Sequence, residues 1–550
     1  MAGMQLTGVG VSPGRASGPV VRVAEPLGEP LATPAPADPE AEAGRIAPAA
    51  AAVADRLNAK AATVEGDARA VLETTAAMAA DPALAAQAAK LVRDRSLPAP
   101  RAVFEAANVF AASLEAAGGY LAERAQDVRD VRDRIIAELL DIDPPGVPEL
   151  AGPSVLVARD LAPADTAGLD PAMVLALVTE EGGPTSHTAI LARSLGIPAV
   201  VAVRGVLALE GVAGLVVDGA TGVVLAPDGP VAVLAAAVEA EPEWDGTGRT
   251  ADGQRVKIIA NVGSSEDSTT SVAAGAEGVG LFRTEFCYLA ATTEPSVEAQ
   301  RAAYAKVLTP FHGKPVVVRT LDAGADKPLP FLTPEDEPNP ALGVRGLRIG
   351  REQPGVLDRQ LEAIAGAAED SGAEVSVMAP MVATAEEAAW FAERVRAAGL
   401  PRAGVMIEIP AAALSAKEIL AEVDFVSLGT NDLAQYVFAA DRMLGALAGL
   451  NDPWQPALLR LIALVGEAGA ELGKPVGVCG EAAADPALGC VLVGLGVSSL
   501  SMNAAALARV GSTLGGVTTD SCRQAARAAL AAGDPARARQ VARAALGLGA

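Results

Sequence analysis

The sequence contains few histidines, cysteines and aromatic residues. Its 550 residues include two histidines, four cysteines, and Phe, Trp and Tyr at 3% in total. The cysteines, Cys287, Cys479, Cys490 and Cys522, form no closely spaced pair. They therefore predict neither a disulfide framework nor a zinc site, and they suit a reducing cytosol. With few aromatic rings, Ala, Val and Leu must fill the interior of a chain that is 51% apolar.

Positive charge is also scarce, with 43 Lys and Arg against 67 Asp and Glu and a formal net charge of −24. Such a surface disfavours non-specific binding to nucleic acid. The N-terminus has neither the basic nor the apolar region of a signal peptide. One long uncharged run, 486–508, is interrupted by glycines, serines and Asn503, which favours a buried strand followed by a helix over a membrane span. The sequence predicts a cytoplasmic protein without membrane insertion.

The length predicts more than one domain, because a single core rarely serves so many residues. Short Gly-rich strands come first, and strand–helix alternation resumes later with "SVLVA" and "GLVVDG". Between them, two Pro-rich segments enclose an Ala-rich zone whose Val128, Val131, Ile135 and Leu139 have helical spacing. This predicts an α/β domain split by an inserted helical bundle. The predicted boundaries are 1–24 with 146–228 for the α/β domain, 25–145 for the bundle, 229–252 for a linker, 253–515 for a barrel and 516–550 for a helical tail.

The zone 253–515 repeats an apolar strand followed by a helical segment. Eight such steps over about 250 residues predict a (β/α)8 TIM barrel. The strands are "KIIANVG", "GVGLFRTE", "PVVVRTLD", "VSVMAPM", "AGVMIEIP", "DFVSLGTND", "PVGVCGE" and "SSLSMN".

Polar side chains follow these strands directly, at the barrel end where enzymes of this fold hold their active sites. The cations suit phosphate and carboxylate groups, and they are Arg283, Arg319, Arg345, Arg442 and Lys327. Glu408 and Asp432 are hard oxygen ligands suited to Mg²⁺. The predicted ligand is a small anion carrying both phosphate and carboxylate. Cys479 is either inert packing or a thiol that donates a proton to a developing enolate.

The stretch "GGPTSHTAILARSLGIP" places His187 at the start of a short helix. We expect the helix to begin at Ser186 or His187 and to stop at Gly196. Free N–H groups and the positive dipole end of the first turn favour an anion there, so a phosphoryl group on the imidazole would be stabilised. The alternatives are a general-base histidine and a plain polar residue at a helix start.

Taken together, these motifs resemble the phosphoenolpyruvate–protein phosphotransferases, enzyme I of the bacterial sugar phosphotransferase system. "TSHTAILARSLGIPAVV" is similar to the phosphohistidine motif of that family, and "LFRTEF", "VRTLDAGADK", "NPALGVRGLR", "MIEIPAA", "SLGTNDLAQY", "AADR" and "VCGE" follow its barrel motifs in order. The resemblance implies a swivelling domain that carries phosphorylated His187 and a barrel that binds phosphoenolpyruvate. The implied roles are Mg²⁺ binding by Glu408 and Asp432 and proton donation by Cys479. Substrate binding is implied for Arg283, Arg319, Asn431, Asp432 and Arg442, with Lys327 and Arg345 at positions of the same motifs.

The resemblance also implies partners. A histidine on a small phosphocarrier protein accepts the phosphoryl group, the helical insertion docks that carrier, and the barrel forms a homodimer. Two motifs depart from the family pattern, since Pro184 replaces an arginine and "MIEIP" replaces "MVETP". One alternative is a pyruvate phosphate dikinase or phosphoenolpyruvate synthase-like enzyme, but the chain lacks a Gly-rich phosphate loop. The other alternative is a non-catalytic regulatory scaffold.

Overall fold

The computed structural model describes residues 4–549, with gaps in that range. Undescribed are 13, 25–26, 64–65, 118, 149, 162–168, 184–186, 210, 220, 228, 230, 235–243, 289–290, 292, 325–328, 330, 334–336 and 443. The chain divides into two compact units, 1–238 with 442–448, and 239–441 with 449–550.

The first unit contains a mixed eight-stranded sheet in the order β1-β8-β7-β3-β4-β5-β6-β2. Its centre is parallel, from β3 to β6, and its flanking pairs are antiparallel. Every residue of β4 and β5 is buried, as expected of central parallel strands with near-continuous apolar runs. The strands are β1 Met4–Thr7, β2 Val9–Ser12, β3 Arg15–Arg22, β4 Ser154–Ala158, β5 Val174–Thr179, β6 Ala199–Val201, β7 Gly214–Asp218 and β8 Val223–Ala226.

A helical bundle is inserted between β3 and β4. Its core includes Val131, Ile135 and Leu139, so the helical spacing predicted for these residues is confirmed. Ala24 and Gly146 exchange backbone hydrogen bonds of 3.2 Å in both directions, so the two ends of the insertion lie side by side. The helices are α1 Pro39–Gly44, α2 Ile46–Ala61, α3 Gly66–Ala79, α4 Pro82–Arg95, α5 Ala99–Ala117 and α6 Gly119–Leu140.

One further helix, α7 (His187–Leu195), follows β5 in the α/β part of the unit. It begins at His187, one of the two starting residues predicted.

The second unit is built on a closed barrel of eight parallel strands, in which the last strand pairs with the first. Each of the eight predicted apolar runs supplies one strand. These strands are β9 Lys257–Val262, β10 Val279–Arg283, β11 Pro315–Arg319, β12 Glu374–Ala379, β13 Ala403–Ile407, β14 Phe425–Leu428, β15 Val476–Val478 and β16 Ser499–Met502.

The outer layer of the barrel consists of helices packed on one continuous apolar core. They are α8 Ser265–Ala273, α9 Val297–Leu308, α10 Leu347–Glu352, α11 Pro354–Ser371, α12 Ala385–Ala397, α13 Pro410–Leu414, α14 Ala416–Glu422, α15 Thr430–Phe438, α16 Pro456–Leu472, α17 Pro486–Gly494, α18 Ala504–Gly515, α19 Thr519–Leu530 and α20 Pro535–Leu546. The last two form the C-terminal tail, and its predicted helical character is confirmed.

The uncharged run 486–508 is expected to be a buried strand followed by a helix, and β16 and the start of α18 form that pair, but the prediction missed a helix that precedes them. Residues Pro486–Gly494 form α17, which Asp485 caps by accepting hydrogen bonds from the N–H groups of Ala487 and Leu488. The helix is buried almost all round, so its sequence has no polar face to reveal a helical period. The strand, β16, follows it.

None of the helices in the described part of the chain is both long enough and apolar enough to cross a membrane. The predicted fold class is confirmed: a split α/β domain with an inserted helical bundle, followed by a (β/α)8 barrel. Residues 235–243 of the predicted linker lie outside the described residues.

Candidate active site at the barrel mouth

The carboxyl ends of the barrel strands bring most of the predicted site residues to one mouth. Arg283 and Arg319 are the last residues of β10 and β11, and they are direct partners in the strand register. Glu408 follows β13 at once, and Asp432 lies in the first turn of α15, just after β14. Cys479 is the residue after β15. These positions agree with the barrel rule on which the prediction depended.

Arg319 is a buried cation held by acidic neighbours. Its side chain is 7% exposed, and it forms ion pairs with Glu285 and, at 3.2 Å, with Asp322. Burial alone would lower its pKa, but Glu285, Asp322 and Glu408 outweigh burial and raise it. The Nε atom has no hydrogen-bond partner in the described structure. Arg319 therefore stays charged and keeps one donor for a ligand.

Arg283 is the second cation at this edge of the mouth. Its guanidinium stacks on the ring of Phe286, 4.7 Å from the centroid. Burial lowers its pKa from the ordinary value, Glu285 acts against that change, and Arg319 adds to it. The Nε atom of Arg283 also lacks a hydrogen-bond partner among the described residues. Two neighbouring guanidinium groups with unused hydrogen-bond donors are suited to bind a small dianion.

Arg345 and Asp322 form a buried ion pair behind the mouth. The Nε and Nη2 atoms of Arg345 donate to the two carboxylate oxygens of Asp322 at 3.1 and 3.2 Å. The Nη1 atom donates to the hydroxyl of Tyr436 at 3.2 Å and lies 3.1 Å from Oδ1 of Asp432. The side chains of Asp322 and Arg345 are 0% and 1% exposed. Arg345 therefore connects the acidic residues of the mouth.

Asp322→Ala is expected to lower the free energy of unfolding of the barrel by about 3–5 kcal/mol, because it leaves two buried cations without a shared counterion. Urea unfolding measures the effect. Asp370→Ala is the control, since Asp370 pairs in the same bidentate way with Arg301 but both side chains are about half exposed. That control should change the stability by less than about 1 kcal/mol. Equal losses in the two variants would contradict the prediction.

Glu408 is fully buried at the carboxyl end of β13. Its Oε1 accepts a hydrogen bond from the N–H of Met381 at 2.6 Å, whereas Oε2 has no partner in the described structure. The pKa of Glu408 is raised to about 7, mainly by burial. The negative charges of Asp432 and Asp322 raise this pKa further, whereas the positive charges of Arg319 and Arg345 lower it. A buried carboxylate oxygen without a partner is the kind of group that a bound cation satisfies.

The two carboxylates of the mouth are of a kind that could hold a magnesium ion. Among the described residues, no group of three or more His, Cys, Asp or Glu side chains is arranged to hold a metal ion. Glu408 and Asp432 offer two carboxylates, and a Cβ atom at Gly429 would lie 2.6 Å from Oε2 of Glu408. The glycine therefore leaves space beside this oxygen. Mg²⁺ characteristically binds one or two carboxylates and completes its shell with water and phosphate oxygens.

Cys479 lies in the barrel interior, beside Met406 and Phe425. Its thiol is 3.5 Å from the carbonyl oxygen of Leu428, and the residue is 5% exposed. Burial raises the pKa of Cys479 to about 11, against a hydrogen bond with Ser427 that lowers it. The thiol consequently holds its proton near neutral pH.

Alkylation of Cys479 by iodoacetamide is expected to be slow at pH 8 and to rise with pH up to about 11. Because the folded-state pKa is above the ordinary value, about one thiol in a thousand is ionised at pH 8. Mass spectrometry of the Cys479 peptide, with the urea-unfolded chain as the control, measures this profile. Rapid alkylation of the folded protein at pH 7 would show a thiolate and contradict the assignment of a proton donor.

Asn431 precedes Asp432 in the first turn of α15. Its Oδ1 accepts a hydrogen bond from the N–H of Glu481 at 3.3 Å, which connects the ends of β14 and β15. Two other predicted residues remain predictions. Lys327 lies outside the described residues, and Arg442 belongs to the segment 442–448 that groups with the first unit.

In the first unit, His187 begins α7 at the carboxyl end of the parallel strands β4 and β5. Open α/β sheets bind ligands at this edge. The next residue, Thr188, is fully buried and donates a hydrogen bond of 3.1 Å to Asp160, which follows β4. Asp160 also accepts from the N–H of Leu161 at 2.8 Å. The first turn of the helix is thus fixed to the sheet edge, while the side chain of His187 and residues 184–186 lie outside the described parts.

Sequence reasoning missed several residues that shape the mouth. Asp322 follows β11 in "VRTLD" but was not assigned a role, although it turns out to be the shared counterion of two arginines. Tyr436 lies four residues after Asp432, one helical turn away, and this spacing was the available signal. Only the position of Glu285 after β10 indicated from the sequence that it could form an ion pair with Arg319.

A cationic barrel mouth beside two carboxylates is typical of enzymes that act on small phosphorylated acids. Comparison with known families supports the same class. Three family models match: "PEP-utilising enzyme, N-terminal" over 7–124, "PEP-utilising enzyme, mobile domain" over 150–222, and "PEP-utilising enzyme, PEP-binding domain" over 239–518.

Within that class, similarity to whole proteins identifies the family. The phosphoenolpyruvate-protein phosphotransferase of Streptomyces coelicolor is 53% identical, over 98% of this chain and 99% of its own length. That of Haloferax volcanii is 42% identical over 82% of both chains. The chain belongs to the phosphoenolpyruvate-protein phosphotransferases, which are transferases. A solution NMR structure of an Enzyme I protein is 33% identical and covers 40% of this chain and 93% of that one, but its TM-score of 0.35 is too low to support the fold.

Proposed function

We propose that the chain transfers the phosphoryl group of phosphoenolpyruvate to its own His187 and then to a histidine of a small phosphocarrier protein. The observation that carries this proposal is the mouth itself, where two register-paired arginines with unused Nε donors lie near a buried carboxylate with an unpartnered oxygen. Arg283 and Arg319 bind the substrate phosphate. Asn431, Arg442 and Lys327 complete the substrate site, and Arg345 acts by holding Asp432 in place.

The first step breaks the bond between phosphorus and the enol oxygen and forms a bond between phosphorus and a ring nitrogen of His187. The leaving group is the enolate of pyruvate, whose carbon takes a proton from the thiol of Cys479. The cationic side chains neutralise charge on the transferred group, and positioning supplies much of the remaining catalysis. In the second step the bond between phosphorus and His187 breaks, and a bond forms between phosphorus and a ring nitrogen of the carrier histidine.

Glu408 and Asp432 are the residues that would hold Mg²⁺ in this site. The ion would neutralise charge on the phosphate and carboxylate of the bound substrate. Residues 1–24 with 146–228 serve as the phosphohistidine domain, 25–145 as the carrier-docking bundle, 229–252 as the linker and 253–515 as the substrate-binding barrel. A cytoplasmic location and a homodimer through the barrel remain predictions from the sequence and its family resemblance.

The proposal is tested by supplying the full chain with radiolabelled phosphoenolpyruvate or with ATP labelled at its γ- or β-phosphate, each with Mg²⁺. Label that comes from phosphoenolpyruvate and passes to a phosphocarrier protein, with one pyruvate released per label, is the expected result. Label from ATP would favour a dikinase. The absence of label from every donor would favour a regulatory scaffold and overturn the proposal.

A further inference from the structure

A buried glutamine outside the barrel connects the two strands that carry the phosphate-binding arginines. Gln360 lies on α11 and is 1% exposed. Its Oε1 accepts a hydrogen bond from the N–H of Leu321 at 3.1 Å. Its Nε2 donates to Oγ1 of Thr284 at 3.1 Å and to the hydroxyl of Tyr304 at 3.2 Å. The amide therefore uses both of its donors and its acceptor inside the protein.

Thr284 extends this connection to the neighbouring strand. It is fully buried, follows Arg283 directly, and donates from Oγ1 to the carbonyl oxygen of Arg319 at 2.8 Å. Gln360 thus holds the chain after Arg319 through Leu321, and it holds the carbonyl of Arg319 through Thr284. We call this set of hydrogen bonds, from Gln360 through Thr284 to the backbone at 319–321, the strand-end bridge.

The bridge lies where the regular strand pairing stops. The register between β10 and β11 shifts between Val279 and Phe282, and β10 ends at Arg283, where a 3-10 turn begins. Arg283 and Arg319 are the last register pair of β10 and β11, so beyond this pair strand pairing no longer sets the separation of the two chains. Phosphate binding by two guanidinium groups depends on that separation, and a misplacement of 1 Å can cost about 100-fold in rate.

We propose that Gln360 is a positioning residue that sets the distance between Arg283 and Arg319 for the phosphate of the substrate. It acts through Thr284 and the backbone. This inference rests on the proposed function, because it assumes that the two arginines bind phosphoenolpyruvate.

The experiment compares Gln360→Met with Gln300→Met in the full chain. Gln300 is a matched control because it is 2% exposed and lies in the same buried cluster. Its Oε1 accepts from the hydroxyls of Tyr288 at 2.6 Å and Tyr304 at 3.4 Å, and its Nε2 donates to the carbonyl oxygen of Pro295 at 2.9 Å. Both variants remove a buried amide of the same size, but only the first removes the strand-end bridge.

Three quantities are measured for each variant: KM and kcat for pyruvate release, phosphoryl exchange between phosphorylated carrier and enzyme, and the urea midpoint of unfolding. Gln360→Met is expected to raise KM for phosphoenolpyruvate by about tenfold or more and to lower kcat, with exchange at the wild-type rate. Gln300→Met is expected to lower the urea midpoint similarly and to leave KM within about twofold. Thr284→Val, which breaks the bridge at its other end, should reproduce the rise in KM even if Gln360→Met folds poorly.

A purely structural role predicts a different result. In that case the two glutamine variants would change KM alike, or neither would change it, and the inference would be overturned. Failure of the proposed function has its own signature, which is wild-type protein that releases no pyruvate from phosphoenolpyruvate. That outcome removes the basis of this inference as well.

Discussion

Replacement of His187 by alanine is expected to abolish labelling of the protein by radiolabelled phosphoenolpyruvate, whereas replacement of His312 should leave labelling intact. The chain contains two histidines, so each variant is the control for the other. His312 lies before β11, at the strand end opposite the mouth, and its Nδ1 is 3.0 Å from the carbonyl oxygen of Ser371. Removal of the nucleophile should reduce labelling by more than about 10⁴-fold.

The chemical stability of the label adds a second criterion. A phosphorus–nitrogen bond to histidine is labile in acid and stable in alkali, unlike a phosphoester of serine or threonine. The wild type and His312→Ala should therefore carry acid-labile label of equal amount. Persistent labelling of His187→Ala would show that another residue accepts the phosphoryl group, and the assignment of His187 would be wrong.

Glu408→Gln is expected to reduce pyruvate formation by about 1000-fold while phosphoryl exchange between phosphorylated carrier and His187 continues at the wild-type rate. The substitution keeps the shape of the side chain but removes a charge from a buried site whose Oε2 has no protein partner. The loss of cation binding should weaken charge stabilisation at the transferred phosphate by several kcal/mol. Under the proposed function, the exchange reaction needs only the unit that carries His187.

Glu374→Gln is the matched control for this variant. Glu374 is exposed and is the first residue of β12, so it lies at the barrel end away from the mouth. The coupled assay for pyruvate and the exchange assay with labelled carrier should both give wild-type rates for it. If Glu408→Gln lost both reactions to the same extent, the proposed division of labour between the two units would be wrong.

The barrel was predictable because its strands are local patterns. Eight apolar runs with polar residues at one end were enough to locate β9 to β16. They also placed Arg283 at the end of β10, Glu408 after β13 and Cys479 after β15. The start of α7 was predictable for a similar reason, since the sequence Gly-Gly-Pro-Thr-Ser precedes an apolar helical pattern.

Other features depend on contacts between distant segments. Helix α17 has an apolar sequence on every face, so only its packing distinguishes it from a strand. The two roles of Asp322 arise because Arg345, 23 residues later, folds back onto it. The contact of Gln360 with Thr284 spans 76 residues. Such pairings leave no periodic pattern in the sequence, so the sequence alone did not predict them.

The insertion that carries the bundle starts and ends at one hydrogen-bonded pair, Ala24 and Gly146. A segment attached in this way can change its surface, or even its length, without a change in the strand register of the sheet. Under the proposed division of labour, lineages could therefore replace one acceptor protein by another through mutations in the bundle alone. The reactive histidine and the barrel chemistry would be inherited unchanged, so acceptor choice and catalysis could evolve separately.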